Sequence, residues 1–155
     1  MYNVAVVGAT GMVGRKMLEI LEEYQFPINS LSLFSSPRSA GEKIFRKNTE
    51  YTVELLDETS FDRPLDFAFF SAGGEISKKF APIAEAHGVV VIDNSSAWRM
   101  DPRISLIVPE INFSDLNLDQ AKIIANPNCS TIQSVLPLKA LAEKFTLKRV
   151  AYTTY

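Results

Sequence analysis

The only cysteine of the chain, Cys129, lies in the segment NPNCSTIQ, between an Asn-Pro-Asn turn and an apolar run with helical spacing. The thiolate form of cysteine is a nucleophile, and the partial positive charge and free N–H groups at a helix N-terminus favour that anion. A lone cysteine is also often a small buried apolar residue. The polar neighbours here suit an anionic ligand better than an apolar core; they are Asn126, Asn128, Ser130 and Thr131. The segment therefore predicts attack on a carbonyl carbon and a thioester intermediate.

A second chemistry-bearing segment, GATGMVG, follows the first apolar run of the chain. Glycines in a tight turn let phosphate oxygens approach the N–H groups at the start of a helix. The spacing is a relaxed variant of the dinucleotide fingerprint GxGxxG, because two residues separate the first two glycines. We expect a dinucleotide-binding loop here, with a purely structural turn as the alternative. The predicted cofactor-binding residues are Gly8, Thr10, Gly11, Met12, Val13 and Gly14.

The segment FSSPRSAGEK favours NADP over NAD as this dinucleotide. NAD-binding domains place an acidic residue about 20 residues after the glycine loop, on the ribose 2′-hydroxyl. Here no carboxylate follows the second predicted strand until Glu42. The segment instead offers hydroxyls and a guanidinium, which suit a 2′-phosphate; these side chains belong to Ser35, Ser36, Arg38 and Ser39. The alternative for Arg38 is a solvated loop arginine.

Short β-branched runs and segments with helical spacing alternate along the chain, and they must position these residues. Strands are predicted at 3–8, 30–35, 65–72, 89–94 and 121–125, with a possible strand at 51–56 and a final one at 148–155. Helices are predicted after the glycine loop, at 75–88 despite Pro82, and from about 130 to 145. This alternation predicts an α/β fold, a Rossmann-like doubly wound and mostly parallel sheet.

The composition narrows the kinds of partner. The chain has 155 residues, 46% of them hydrophobic, which suffices for one compact domain over 1–155. A net charge of −2 without runs of like charge gives no reason to expect nucleic acid or an anionic membrane, so a small molecule is the expected partner. We expect a reducing cytoplasm, because one cysteine forms no internal disulfide and the N-terminus lacks the features of a signal peptide. No metal site is predicted.

Six motifs in order resemble the aspartate-β-semialdehyde dehydrogenase family across essentially all 155 residues. They are GATGMVG, SSPRSAG, FSAGG, DNSSAWRM, VPEIN and NPNCSTIQ, and the last is the most specific. The resemblance implies NADPH-dependent reductive dephosphorylation of β-aspartyl phosphate to aspartate semialdehyde, on the route to lysine, methionine and threonine.

The same resemblance implies roles for individual residues. Cys129 matches the family's nucleophile, and Arg99 and Asn128 match the groups that bind the substrate phosphate. An arginine fork suits phosphate oxygens, although Arg99 could also be a surface loop arginine. The cofactor is expected to pass the loop of Ser71, Ala72 and Gly73 and to reach Asn94 near its nicotinamide end. Gly73 could equally belong to a turn before a helix.

The family's remaining catalytic groups have no match in this chain. His87 precedes a glycine at a predicted helix end, so we expect a solvated capping residue rather than an acid or base. The resemblance places a catalytic histidine, a glutamine and a carboxylate-binding arginine in a C-terminal catalytic and dimerisation domain that this chain does not include. We therefore expect an N-terminal domain, inactive alone, of a homodimeric or homotetrameric enzyme.

Two alternative functions stay open. N-acetyl-γ-glutamyl-phosphate reductase uses a similar glycine loop, cysteine and acyl phosphate, but its cysteine typically follows Pro-Gly, whereas Cys129 follows Pro-Asn. A nucleotide-binding module without catalysis, in which Cys129 is structural or redox-responsive, is the other alternative.

Overall fold

A seven-stranded parallel sheet forms the centre of the protein. The computed structural model describes residues 1–46 and 48–154. Its strands are β1 (Tyr2–Val7), β2 (Ile28–Ser35), β3 (Lys43–Arg46), β4 (Thr49–Thr52), β5 (Glu54–Leu55), β6 (Phe67–Phe70), β7 (Val90–Asp93), β8 (Ser105–Leu106) and β9 (Ile123–Ala125). The main sheet has the order β5-β2-β1-β6-β7-β9-β8, and every neighbouring pair in it is parallel. The predicted α/β fold with a parallel sheet is confirmed.

Helices cover both faces of this sheet, which makes the fold doubly wound. They are α1 (Met12–Glu23), α2 (Gly74–Ala86), α3 (Pro109–Asn112) and α4 (Cys129–Ala142), with a short 3-10 helix at Phe113–Asp115. Helix α1 packs on one face through Leu18, in a cluster with Val6 and Leu33. Helix α2 packs on the other face through Phe80 and Ala84. Helix α4 contributes no buried residue.

The core explains why the central strands read as continuous apolar runs. Residues 4–7 of β1 are fully buried, because helices or loops cover both faces of a parallel sheet. Complete burial of one of the three valines in this run contributes about 1.5–3 kcal/mol. On the α2 face, Phe61 packs between Phe34 and Phe70, with ring centroids 6.0 and 6.1 Å away.

The topology determines where a ligand crevice opens. The chain leaves β1 for β2 on one side and later returns to β6 on the other side. In open α/β sheets, ligands bind outside the carboxyl ends of the strands at such a switch point. The ends of β1, β2 and β6 therefore surround the expected crevice.

Three details differ from the sequence prediction. The possible strand at 51–56 is divided, because β4 pairs with β3 in an antiparallel hairpin while β5 pairs with β2 in the main sheet. Helix α4 begins at Cys129 and ends at Ala142, earlier than predicted. The final strand predicted at 148–155 is wrong for residues 148–154, which are exposed and form no strand; Tyr155 lies outside the described residues. A strand needs a neighbouring strand, and no backbone hydrogen bond joins 148–154 to the rest of the described chain.

Candidate active site

The glycine loop between β1 and α1 requires glycine at two positions. Gly8 has a φ of +85°, and a Cβ there would lie 3.0 Å from backbone atoms of Ser71 and Ala72. A Cβ on Gly14 would lie 2.2 Å from the carbonyl oxygen of Gly8. The two glycines thus let the first turn of α1 and the end of β6 close around the end of β1.

Side-chain hydroxyls fasten this loop to the neighbouring strands. The Thr10 and Ser35 hydroxyl oxygens are 2.9 Å apart, which joins the loop to the end of β2. The Ser71 hydroxyl donates to the carbonyl of Val7 at 3.2 Å, which joins the end of β6 to β1. Ser35 is buried. Three of the predicted cofactor hydroxyls therefore also hold the loop in place.

These strand ends enclose a cleft of about 370 Å³. Seven of the predicted cofactor residues line it, namely Gly8, Thr10, Gly11, Ser35, Ser36, Ser71 and Ala72. Helix α1 starts beside the cleft without a side-chain cap and without an acidic residue in its first turn. Its first N–H groups are thus open to an anion, and the helix dipole favours one there. The cleft fits the pyrophosphate of a dinucleotide.

The other predicted cofactor residues lie around this cleft rather than in its lining. Arg38 is exposed in the turn after β2, and neither an ion pair nor a hydrogen bond joins its side chain to the described residues. The first carboxylate after β2, Glu42, lies 3.6 Å from the guanidinium of Arg15. Arg15 also donates to the Thr10 carbonyl at 3.0 Å, so this carboxylate is held next to a cation near the glycine loop. Met12, Gly14, Ser39 and Gly73 are likewise outside the lining.

A second hollow, of about 310 Å³, lies beside α1. Val13 and Asn94, both predicted to contact the cofactor, line it together with Asn126. Asn126 was predicted only as a polar neighbour of Cys129 and not as a cofactor residue. The residues predicted to line the site therefore form two sets. One lies in the cleft at the ends of β1, β2 and β6, and the other lies at the ends of β7 and β9.

Asn128 caps the N-terminus of α4, directly before the residue predicted to be the nucleophile. Its side-chain oxygen accepts hydrogen bonds from the N–H groups of Ser130, at 2.9 Å, and Thr131, at 3.4 Å. This N-cap leaves the amide N–H₂ of Asn128 available to a ligand oxygen. Cys129 is the first residue of α4 and is exposed. The cap therefore places a thiol and an amide donor side by side at a helix N-terminus.

Arg99 is half-buried and held by main-chain groups. Its Nε donates to the carbonyl of Asn126 at 3.0 Å, and its Nη2 donates to the carbonyl of Asn94 at 3.2 Å. A guanidinium has five N–H donors. Two are used here, so three remain for a ligand, and these two acceptors fix the plane of the fork. Arg99 is thus held in place by main-chain carbonyls rather than free at the surface, and anion binding by its remaining donors stays a prediction.

Acidic side chains form hydrogen bonds on either side of Arg99. Asp93 is fully buried and accepts a hydrogen bond from the Ser95 hydroxyl at 2.6 Å, while that hydroxyl accepts from the Ala97 N–H at 3.1 Å. The Oδ1 atom of Asp93 is buried without a partner among the described residues. Further along, hydrogen bonds from the Arg103 side chain and N–H lower the pKa of Asp101 to about 2.

Residues that the sequence analysis missed include apolar ones. Ile76 and Phe80 of α2 line the cleft, and their i, i+4 spacing was a signal for one shared helix face.

His87 is the exposed C-cap residue of α2, as predicted, and its Nε2 lies 3.0 Å from Asp62. Among the described residues, no helix is long and apolar enough to cross a membrane, and no cluster of three or more His, Cys, Asp or Glu side chains could hold a metal ion.

A glycine loop at the switch point of a parallel, doubly wound sheet defines a dinucleotide-binding α/β domain. Comparison with known proteins then specifies the family. Residues 3–118 match the family described as semialdehyde dehydrogenase, NAD binding domain, and the chain belongs to this family. The membership supports the predicted nicotinamide cofactor.

Individual relatives agree with this family. The chain is 53% identical over 155 residues to aspartate-semialdehyde dehydrogenase from Aquifex aeolicus, covering 99% of this chain and 46% of the relative. It is 48% identical over 153 residues to the Bacillus subtilis protein of the same name, covering 99% and 44%. The crystal structure of aspartate semialdehyde dehydrogenase II complexed with ASA from Vibrio cholerae matches with a TM-score of 0.84 and 44% identity, covering 93% of this chain and 47% of that chain. The chain spans about half the length of these relatives.

Proposed function

We propose that this chain is the cofactor-binding and nucleophile-bearing part of an NADP-dependent aspartate-semialdehyde dehydrogenase. The observation that carries the proposal is the arrangement at the ends of β7 and β9. There, Arg99 hydrogen-bonds to the carbonyl of Asn126, which lies three residues before Cys129. The substrate in this proposal is taken from two relatives, 53% and 48% identical to this chain, that are named aspartate-semialdehyde dehydrogenase.

The residues of this site suit reduction of an acyl phosphate. The Cys129 thiolate attacks the acyl carbon of β-aspartyl phosphate; the C–S bond forms, the C–O bond to phosphate breaks, and phosphate leaves with the electron pair. The remaining donors of Arg99 and the amide N–H₂ of Asn128 stabilise that leaving charge. NADPH held by the glycine loop and the residues of the cleft would supply the hydride that reduces the thioester carbon. Cys129 would then leave as the thiolate when the C–S bond breaks, which releases the aldehyde.

Charge near the end of β2 supports NADP rather than NAD. Arg38 is exposed and available to a 2′-phosphate, and Glu42 lies beside Arg15 instead of standing free to accept a ribose hydroxyl.

We further infer that the longer protein acts in the cytoplasm as a homodimer or homotetramer.

The test is an assay of a longer protein that contains this chain. We expect reduction of NADP⁺ with aspartate semialdehyde, only in the presence of phosphate, and none with N-acetylglutamate semialdehyde. Cys129→Ser should lower kcat at least about a thousandfold, since a hydroxyl is a far weaker nucleophile, and should leave the affinity for NADPH unchanged.

Ser134→Ala is the matched control for this substitution. It removes a hydroxyl that donates to the carbonyl of Ser130 at 2.9 Å in the same helix, and it should leave kcat within about twofold. Turnover of the N-acetylated substrate would instead identify the related reductase. Full turnover by Cys129→Ser would refute the nucleophile. Absence of turnover of either substrate by the wild-type protein would favour a nucleotide-binding module without catalysis.

A further inference from the structure

Asn126 joins the ends of β7 and β9 through three hydrogen bonds. Its N–H donates to the carbonyl of Asp93 at 2.8 Å, its carbonyl accepts from Nε of Arg99 at 3.0 Å, and its side-chain Nδ2 donates to Oδ1 of Asn94 at 2.7 Å. All three partners lie in the segment 93–99. One residue thus connects the loop that carries Arg99 to the turn that leads into Cys129.

Only the third of these bonds depends on the side chain at this position. The two main-chain bonds persist for any residue that keeps the backbone, so Arg99 retains both of its carbonyl acceptors when Asn126 is replaced. Asn94 is itself held by its N–H, which donates to the carbonyl of Phe70 at 2.9 Å. The side-chain amide of Asn126 therefore fixes the orientation of the Asn94 side chain.

The direction of that bond decides which chemistry Asn94 presents. An amide has an oxygen that accepts and an N–H₂ group that donates. Asn126 occupies the oxygen of Asn94, so the N–H₂ group of Asn94 is the part without a partner among the described residues. Both side chains line the 310 Å³ hollow, where they and Lys16 are the polar lining residues; the others, Val13 of the first turn of α1 among them, are apolar. Asn94 therefore offers a hydrogen-bond donor, its N–H₂ group, at this end of the site.

We propose that Asn126 is a positioning residue for the nicotinamide cofactor. It fixes the Asn94 amide so that N–H₂ faces the ligand and selects an acceptor oxygen of the cofactor, such as the oxygen of a carboxamide. The inference rests on the proposed function through its nicotinamide cofactor, and it assigns a role to a residue outside the nucleophile and phosphate-binding groups. It requires that Asn126 act through Asn94.

The chain carries a matched control at the opposite end of the sheet. Asn29 donates from Nδ2 to Oδ1 of Asn3 at 2.9 Å, an amide-to-amide bond of the same kind near the amino ends of β1 and β2. Asn29→Ala removes a comparable bond far from the carboxyl ends of the strands. It should leave NADPH affinity within about twofold.

The experiment is a set of NADPH titrations, by cofactor fluorescence, of the 155-residue chain and its variants. Asn126→Ala should weaken NADPH binding about 3- to 10-fold, as expected for one hydrogen bond. Asn126→Asp should weaken it further, because a carboxylate facing Oδ1 of Asn94 forces that amide to turn its oxygen to the ligand. In an Asn94→Ala background, both substitutions should change the affinity by less than about twofold. Thermal unfolding of each variant reports whether it is folded.

The outcomes separate this proposal from the one it rests on. If the wild-type chain binds NADPH and both Asn126 variants bind it equally well, the positioning role is refuted and the cofactor assignment stands. A full further loss for Asn126→Ala in the Asn94→Ala background also refutes it, because Asn126 would then act independently. If Asn126→Ala does not fold, Asn126→Ser takes its place in the same cycle. A wild-type chain that binds neither NADPH nor NADH overturns both proposals.

Discussion

Replacement of Gly14 by alanine tests the close approach between α1 and the glycine loop. The added Cβ would lie 2.2 Å from the Gly8 carbonyl oxygen, whereas ordinary contacts begin at 3.4 Å. The first turn of α1 must therefore move by about 1.2 Å, which is 3.4 minus 2.2. The atom in the way is main chain, so no side-chain rotation relieves the contact.

The magnitude follows from two opposing effects. Overpacking costs about 1–3 kcal/mol, and the rigid backbone contact belongs at the upper end of that range. Alanine gains about 1 kcal/mol over glycine inside a helix. We expect Gly14→Ala to lower the free energy of unfolding by about 2 kcal/mol, which corresponds to a fall in Tm of about 4–8 °C for a chain of this size. The displaced loop should also weaken NADPH binding about tenfold.

Thermal unfolding followed by circular dichroism measures the effect, and Gly74→Ala is the control. Gly74 is the first residue of α2, and a Cβ there would meet no atom within 4 Å. The control should change the free energy of unfolding by less than about 0.5 kcal/mol. Equal Tm values for the two variants would refute the argument that Gly14 is required by the packing of α1 on the loop.

Three further predictions concern single side chains. Arg38→Ala should weaken NADPH binding about tenfold and NADH binding less than twofold, measured by fluorescence titration; an equal loss for both would remove the reason to prefer NADP. Asn128→Ala should lower the free energy of unfolding by about 1 kcal/mol, because the N-cap of α4 is lost. Asn128→Asp keeps the capping oxygen and should raise only the KM for phosphate in the longer protein. Equal destabilisation by the two substitutions would contradict the capping role. Because hydrogen bonds from Arg103 hold the pKa of Asp101 at about 2, below its unfolded value, its stabilising effect is present above about pH 4 and is lost as the pH falls through 2. The difference in Tm between wild type and Asp101→Asn should therefore be constant from pH 7 to about pH 5 and shrink toward pH 2, and an NMR titration that found a pKa near 4 would contradict this.

The fold was predictable where local pattern and tertiary packing agree. The run from Val4 to Val7 is apolar at every position because the sheet buries both of its faces. Helix α2 was predictable despite Pro82, because the spacing of Ile76 and Phe80 places both on the face that packs against the sheet. The hairpin of β3 and β4 was not predicted, since its strands have four residues each and are largely exposed.

The candidate site was predictable in the same uneven way. The glycine loop is encoded in seven consecutive residues, so its chemistry is visible in the sequence. The surroundings of Arg99 are not, because its partners are main-chain carbonyls, which every residue has. The amide pair of Asn94 and Asn126 joins residues 32 positions apart, and nothing in either local segment specifies the other.

The position of β1 in the middle of the sheet has a consequence for the order in which the protein forms. Val4 pairs with Leu31 on one side and with Phe67 on the other, and the Ser71 N–H bonds to the carbonyl of Val7. About 60 residues separate the end of β1 from its second neighbour, which is about 3 to 12 s of synthesis at 5–20 residues per second. The glycine loop is synthesised first, but the strand β6 that completes the cleft beside it is synthesised later. A ribosome-bound chain that stops before β6 should therefore not retain NADPH.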